Sequence, residues 1–186
     1  ATTLAQLQES KPERVTIVLL SGDLDRAMAA FIIATGSIPR VGLVPGLDHA
    51  RCLTSDELLD LRDQPGSLIV LGAGPVGLEL GQFFSRIGTR ITIVQRSPSV
   101  LSHLDHDVGD ALLQALEQDG LSILTEAAVH KIDQAGAQPV VQITRQGKEQ
   151  AVSGELVLNA LGRVPNIAGL NLPSAGVAVD QGRVIV

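Results

Sequence analysis

Apolar residues in this chain fall into short unbroken runs separated by glycine- and proline-bearing breaks, with two longer stretches of helical spacing between them. The run at 15–20, between Pro12 and Ser21-Gly22-Asp23, predicts a buried strand. Asp23 is a suitable cap, and the alanine-rich stretch 24–33 reads as a short helix. Alternatively Phe31-Ile32-Ile33-Ala34 is a second strand, because so short an apolar run does not separate the two readings. Residues 37–46, punctuated by Pro39, Gly42, Pro45 and Gly46, form a connector. Thr54-Ser55-Asp56-Glu57 begins a helix: a hydroxyl caps it and acids sit at its positive end. Leu58, Leu59 and Leu61 supply its apolar face, and Pro65-Gly66 ends it.

A βαβ unit follows. Residues 67–71 predict a buried strand, a glycine-rich turn succeeds it directly, and Val76, Leu80, Phe83, Phe84 and Ile87 then recur at helical spacing until Gly88. Residues 91–94 are the next strand, 105–119 a helix with Val108, Leu112, Leu113 and Leu116 on one face, and 121–124 a third strand. From there the period changes. Short strands at 128–132, 140–144 and 150–152, joined by glycine-containing turns, predict an antiparallel meander, before a last apolar strand at 155–160. The predicted fold is α/β: a Rossmann-type parallel sheet with an inserted antiparallel meander.

Composition narrows the class. Apolar residues make up 45% of the chain and aromatics 2%, so the core is aliphatic, as in parallel sheets covered on both faces. The net charge of -6 excludes a broad nucleic-acid surface, which needs clustered cations. No apolar run reaches the roughly 20 residues that span a bilayer, and the polar start gives no leader, so a cytoplasmic chain is expected. The lone Cys52 can form neither an internal disulfide nor a paired redox centre, and reads as a small apolar residue.

The chemistry lies in Gly72-Ala73-Gly74-Pro75-Val76-Gly77. Such a turn alone is weak evidence, but this one follows a strand, opens a helix and precedes a second strand about 20 residues on. Gly72 permits the tight turn, Gly74 leaves room for a pyrophosphate, and Gly77 lets the helix approach the strands. The helix start then attracts the anion through its unpaired amides. The second strand ends in Gln95-Arg96, where an acid would favour NAD and a cation the 2'-phosphate of NADP. Gln95 keeps hydrogen-bonding capacity without charge and Arg96 supplies a bidentate cation, so NADPH is expected over NADH, with Arg96 as an ordinary solvated residue the alternative.

Four stretches resemble the FAD-dependent pyridine nucleotide-disulfide oxidoreductases, which include mercuric reductase and dihydrolipoamide dehydrogenase. Residues 31–39 resemble the segment closing the first part of the family's FAD domain, and 54–57 the crossing into the nicotinamide domain. Residues 72–79 resemble the extended fingerprint that ends in Glu79, and Ala160-Leu161-Gly162-Arg163-Val164-Pro165-Asn166 the return to the FAD domain. The resemblance implies that the parent enzyme passes hydride from NAD(P)H to FAD, with Gly72, Ala73, Gly74, Pro75, Val76, Gly77, Gln95, Arg96 and Gly162 around the dinucleotide. It places Glu79 near the flavin, against an exposed helix acid as the alternative. The Gln-Arg pair resembles the mercuric-reductase-like branch.

Departures limit this reading. The chain carries no second glycine fingerprint for FAD and no pair of redox cysteines, and disulfide exchange needs an attacking thiolate and a resolving partner. The expected organisation is an amino-terminal segment at 1–36, a connector at 37–65, the NAD(P)-binding domain at 66–161 and a partial return to the FAD domain at 162–186. Such a chain is expected to bind dinucleotide without retaining FAD and without turnover, so no catalytic residue is assigned. Residues 1–30 resemble instead the opening of DsrE-type sulfur-relay proteins, which suggests a fusion. The alternative function is a non-catalytic module whose partner affinity responds to nucleotide. Apolar surface that met the FAD domain offers a route to a homodimer. His103 and His106, beside Asp105 and Asp107, have the spacing of metal ligands but lie at a helix start, where solvated or capping roles are expected.

Overall fold

Residues 36–48, 51–136 and 138–185 are described by the computed structural model of the chain. The expected strand at 15–20 and the helix or strand within 24–34 lie outside them. Contacts divide the chain into two compact units: Pro39–Arg163, and a second that joins the chain up to Ile38 to Val164–Val186.

In the larger unit the element order is β2 (Cys52–Leu53), α1 (Ser55–Leu59), β3 (Ser67–Leu71), α2 (Pro75–Arg86), β4 (Arg90–Val94), α3 (His106–Gln118) and β5 (Ser122–Leu124). The meander β6 (Ala127–Ala135), β7 (Gln138–Arg145) and β8 (Lys148–Ser153) follows, and β9 (Leu156–Asn159) closes it. Five strands form one parallel sheet in the order β2-β9-β3-β4-β5, and the meander forms its own three-stranded antiparallel sheet. The predicted α/β fold with an inserted meander is therefore observed. β1 (Ser37–Pro39), where only a connector was expected, pairs with β10 (Arg163–Pro165), and the chain crosses between the units within these two strands.

Strand alternation sends successive side chains to opposite faces of the sheet. Leu68 and Val70 of β3, Ile91 and Ile93 of β4 and Leu158 of β9 join one buried cluster with Leu78, Phe84 and Leu116 from the helices. Ile69, Leu71, Val94 and Val157 join a second cluster with Ile132, Val141 and Ile143 of the meander. Helices thus cover one face and an antiparallel sheet the other.

Four predicted details are corrected. Helix α1 ends at Leu59, six residues before Pro65, because of its leucines only Leu58 gains burial while Leu59 and Leu61 stay exposed. Its start is as expected, with Thr54 and Glu57 forming a reciprocal capping box. Helix α2 does not bury the stripe of large residues: Phe83 is 52% and Ile87 46% exposed. Its inner face is Gly77, Leu78, Gly81 and Phe84. Glycines bring the helix axis close to the strands; a methyl at Gly81 would stand 3.3 Å from Ile93 Cδ1. On α3, Gly109 and Leu116 are buried and Val108 is exposed. The meander strands run longer than their apolar cores, since β7 and β8 continue to a two-residue turn in which Gln146 and Gly147 both take positive φ (51° and 71°).

In the smaller unit, two 3-10 turns (Ala168–Leu170 and Leu172–Ala175) lead to a hairpin of β11 (Val179–Asp180) and β12 (Arg183–Val184), with Leu172 and Val177 buried.

Candidate functional site

Strand order reverses direction beside β3: the chain runs outward through β4 and β5, then returns to the other side as β9. Open parallel sheets bind ligands at the carboxyl ends of strands flanking such a point. The turn after β3 and the turn after β9 meet there, and a cavity of about 240 Å³ lies between them, lined by Gly74, Pro75, Val76, Asn159, Ala160, Gly162, Arg163, Pro39 and Ser55.

Each glycine of the turn has a separate steric reason. Gly72 has φ +100°, and a methyl on it would stand 2.6 Å from the Ala160 carbonyl oxygen. Gly77 faces inward; a methyl there would collide with the Gly72 carbonyl oxygen and lie 3.2 Å from both Ala160 Cβ and Val70 Cγ1. Gly74 is different, for nothing lies within 4 Å of where its methyl would be. It is the N-cap of α2 with extended φ, Pro75 follows it, and no side chain caps the helix. First-turn amides of a helix have no intrahelical acceptor. Here they are left to a ligand or solvent, beside bare backbone at Gly74. The donor set suits a phosphate or pyrophosphate.

Ala73, between these glycines, is buried and held at both ends. Its N–H donates to Gln95 Oε1 at 3.1 Å, and its carbonyl accepts from the Leu101 N–H at 3.0 Å. Gln95 Nε2 also donates to the Ser99 carbonyl at 3.3 Å. Half-buried Gln95 therefore braces the turn, a use that its type and position alone did not reveal. Arg96 next to it is exposed and has no ion-pair partner among the described residues. Its backbone neighbours are anchored: Gln95 N–H donates to Leu124 O at 2.9 Å, Gln95 O accepts from Ala127 N–H at 2.9 Å, and Ser97 O accepts from Glu126 N–H at 3.2 Å. Glu79 lies exposed on α2 and does not line the cavity.

On the β9 side, Gly162 takes φ +115° and its carbonyl accepts from the Arg40 N–H at 3.0 Å. Asn159, buried at the end of an otherwise aliphatic strand, donates through Nδ2 to Arg40 O at 2.9 Å and accepts the Leu161 N–H at 3.2 Å. Ser55 Oγ accepts from Arg163 Nη1 at 3.5 Å. Of the residues singled out from sequence, Gly74, Pro75, Val76 and Gly162 line the cavity, while Gly72, Ala73, Gly77 and Gln95 shape the turn behind it. Asn159 and Ser55 were missed. A lone amide closing the run Leu156-Val157-Leu158 was the available signal for Asn159; Ser55 carried none beyond its place at a helix start.

Cys52 is half-buried, and burial, helped by nearby Asp48, pushes its thiol up to about 11. That keeps it protonated and weakly nucleophilic at neutral pH. Among the described residues no group of three or more His, Cys, Asp or Glu is placed to hold a metal ion, His103 and His106 included. No described helix is long and apolar enough to cross a membrane.

A family model described as pyridine nucleotide-disulphide oxidoreductase matches residues 6–186. The mercuric reductase of Staphylococcus aureus is 38% identical over 152 residues, covering 82% of this chain and 28% of that protein. A dihydrolipoyl dehydrogenase of Mycobacterium tuberculosis is 36% identical over 185 residues, covering 99% of this chain and 37% of its own length. Among solved structures, the HOCl-induced flavoprotein disulfide reductase RclA from Escherichia coli superposes with a TM-score of 0.71 at 31% identity, over 82% of this chain and 34% of that one. The chain thus spans between a quarter and two-fifths of the length of these relatives. Because the family match begins at residue 6, the amino-terminal stretch falls within it, and the DsrE-type reading of residues 1–30 is corrected. A strand, a capped turn and an alanine-rich helix open many α/β units, so that short pattern did not discriminate between families.

Proposed function

The chain belongs to the pyridine nucleotide-disulphide oxidoreductase family, and from that premise we propose that residues 66–161 form its NAD(P)H-binding domain, with NADPH favoured. The observation that carries the reading is the open backbone at Gly74, set at the amino end of α2 and facing the cavity where the sheet reverses. A dinucleotide needs there what this turn offers: unpaired helix amides, no Cβ in the way, and a rigid floor of Gly72 and Gly77. Arg96 supports the preference, being exposed and unpaired at the end of β4 on a backbone anchored on either side. When bound, the nicotinamide supplies hydride to a flavin in the parent enzyme; the residues of this chain hold, orient and discriminate the dinucleotide. We assign FAD retention and turnover to the rest of the parent, because this sequence carries a single glycine fingerprint and a single cysteine, and disulfide exchange needs two thiols.

Calorimetric titration with NADPH and NADH, alongside an absorbance scan for bound flavin, tests the reading. NADPH binds more tightly than NADH, and Gly74→Val abolishes both. Arg96→Glu weakens NADPH by about tenfold or more, the usual weight of a charge-assisted hydrogen bond, and changes NADH much less. A folded sample that binds neither dinucleotide refutes the assignment, and one that purifies with flavin refutes the restriction to nucleotide binding.

A further inference from the structure

Two successive peptide groups of the glycine turn are held by one loop, that between β4 and α3. The first joins Gly72 to Ala73, and its N–H donates to Gln95 Oε1 at 3.1 Å. The second joins Ala73 to Gly74, and its carbonyl accepts the Leu101 N–H at 3.0 Å. A trans peptide is planar, so fixing one end fixes the other in the opposite direction. The bond to Gln95 therefore turns the Gly72 carbonyl away from the loop and toward the inner face of Gly77, where a methyl would collide with it. The bond from Leu101 turns the Gly74 N–H away from the loop. Gln95 is itself held by its second bond, from Nε2 to the Ser99 carbonyl at 3.3 Å. Leu101 adopts φ +46°, a left-handed conformation that L-residues with a Cβ avoid, and its N–H makes the other bond. Backbone strain of this kind persists where the surroundings over-determine it, and it gathers at binding sites.

We propose that Gln95 is a positioning residue: its amide sets the orientation of the phosphate-binding turn and takes no part in distinguishing NADPH from NADH, which Arg96 does alone. The proposal rests on the nucleotide-binding reading above and refines it. Sequence position suggests the reverse, since the end of the second strand is where a ribose reader stands. The structure assigns the two jobs to neighbours. Gln95 is half-buried with its head group spent between two backbone partners, while Arg96 is exposed and unpaired among the described residues. An effect on the turn is felt by every ligand that carries a pyrophosphate, whatever its ribose bears.

The full chain is titrated calorimetrically with NADPH, NADH and adenosine 2'-monophosphate, a probe that keeps the 2'-phosphate and carries no 5'-phosphate for the turn to bind. Gln95→Met, close in shape and unable to make either bond, lowers affinity for NADPH and NADH by the same factor, about five- to tenfold for one lost hydrogen bond to the turn. It leaves the 2'-monophosphate within twofold. Arg96→Ser does the opposite: NADPH and the 2'-monophosphate weaken and NADH stays within twofold. Gln95→Glu keeps an acceptor for the Ala73 N–H and so retains native NADH affinity within twofold, which keeps the test valid if Gln95→Met fails to fold. A merely structural role predicts lower melting temperature with unchanged affinities in the folded protein. The proposal is overturned by that result, by a change of more than threefold in the NADPH-to-NADH ratio in Gln95→Met, or by loss of NADH binding in Gln95→Glu. If the native chain binds neither dinucleotide, the nucleotide-binding reading fails first and the role of Gln95 falls with it.

Discussion

Alanine at Gly72 and alanine at Gly74 have opposite expected effects, although the two glycines are two residues apart in one turn. At Gly72 the new methyl meets the Ala160 carbonyl oxygen at 2.6 Å and its carbon at 3.1 Å, with φ at +100°. The oxygen has little room to retreat, because the Ala160 N–H donates to Leu71 O at 3.0 Å and ties that backbone to β3. Left-handed backbone costs an alanine about 1–2 kcal/mol, and overpacking of a close-fitted site adds about 1–3 kcal/mol. The sum, about 2–5 kcal/mol, is a large part of the roughly 5–15 kcal/mol that holds a typical domain folded. At Gly74 the methyl meets nothing within 4 Å and φ is −82°. Only the weaker N-cap preference of alanine remains, at about 1 kcal/mol or less. Gly74→Ala is therefore nearly native in stability while its methyl stands where a pyrophosphate would approach. Urea unfolding followed by far-UV circular dichroism measures the first effect, since the chain has no Trp or Tyr to report by fluorescence; NADPH titration measures the second. Equal unfolding midpoints for the two variants would refute the steric reasoning, as would native dinucleotide affinity in Gly74→Ala.

Exposed Glu126 holds φ +54°, so Glu126→Gly relieves left-handed strain and raises stability by about 0.5–1 kcal/mol after the entropic penalty of glycine, read as a higher urea midpoint. Cys52, with its thiol raised to about 11, reacts slowly with iodoacetamide at pH 8, and the rate climbs as pH rises toward 11; a rate at pH 8 equal to that of free cysteine contradicts the burial argument. Because the folded value lies above the ordinary one, the stability tied to the protonated thiol is complete below about pH 9 and is lost as pH rises toward 11, an effect that Cys52→Ala removes. Asp119, which accepts from Gln82 and Arg86, has its carboxyl lowered chiefly by those bonds, so its contribution is present above pH 4 and declines as acid protonates it. Asp119→Asn is expected to flatten that part of the acid-unfolding profile, and an unchanged profile would show that the exposed cluster carries no net stability.

What the sequence made legible followed from periodicity and from glycine. The strands at 67–71 and 91–94 stand out because β-branched and leucine runs end abruptly at turn residues, and the helix between them because a glycine turn must open onto something. The buried face of α2 was misread for a physical reason: hydrophobic spacing marks large residues, whereas this helix approaches the sheet through Gly77 and Gly81 and leaves Phe83 outside. The far half of the cavity was hidden because its residues are distant in sequence. Ser55 and Asn159 come together only through the pairing of β2 with β9 and β9 with β3, and no local pattern encodes parallel neighbours 88 to 105 residues apart. The bonds of Gln95 to Ala73 and Ser99 were not legible either, since residue type names the hydrogen bonds a side chain can make and not which groups will reach it.

The central sheet also works as a partition. Leu68 and Val70 look toward the helices, Ile69 and Leu71 toward the meander, and the two apolar clusters share no residue. The glycine turn packs its apolar residues on the helical side, through Val70, Ala73, Leu78 and Ala160. Ile132, Val141 and Ile143 on the far side are then free to drift together under selection for volume and shape, as hydrophobic cores do when repacked, without the turn registering the change. A lineage built on this plan can remodel one half of its interior while the other keeps the shape of the glycine turn.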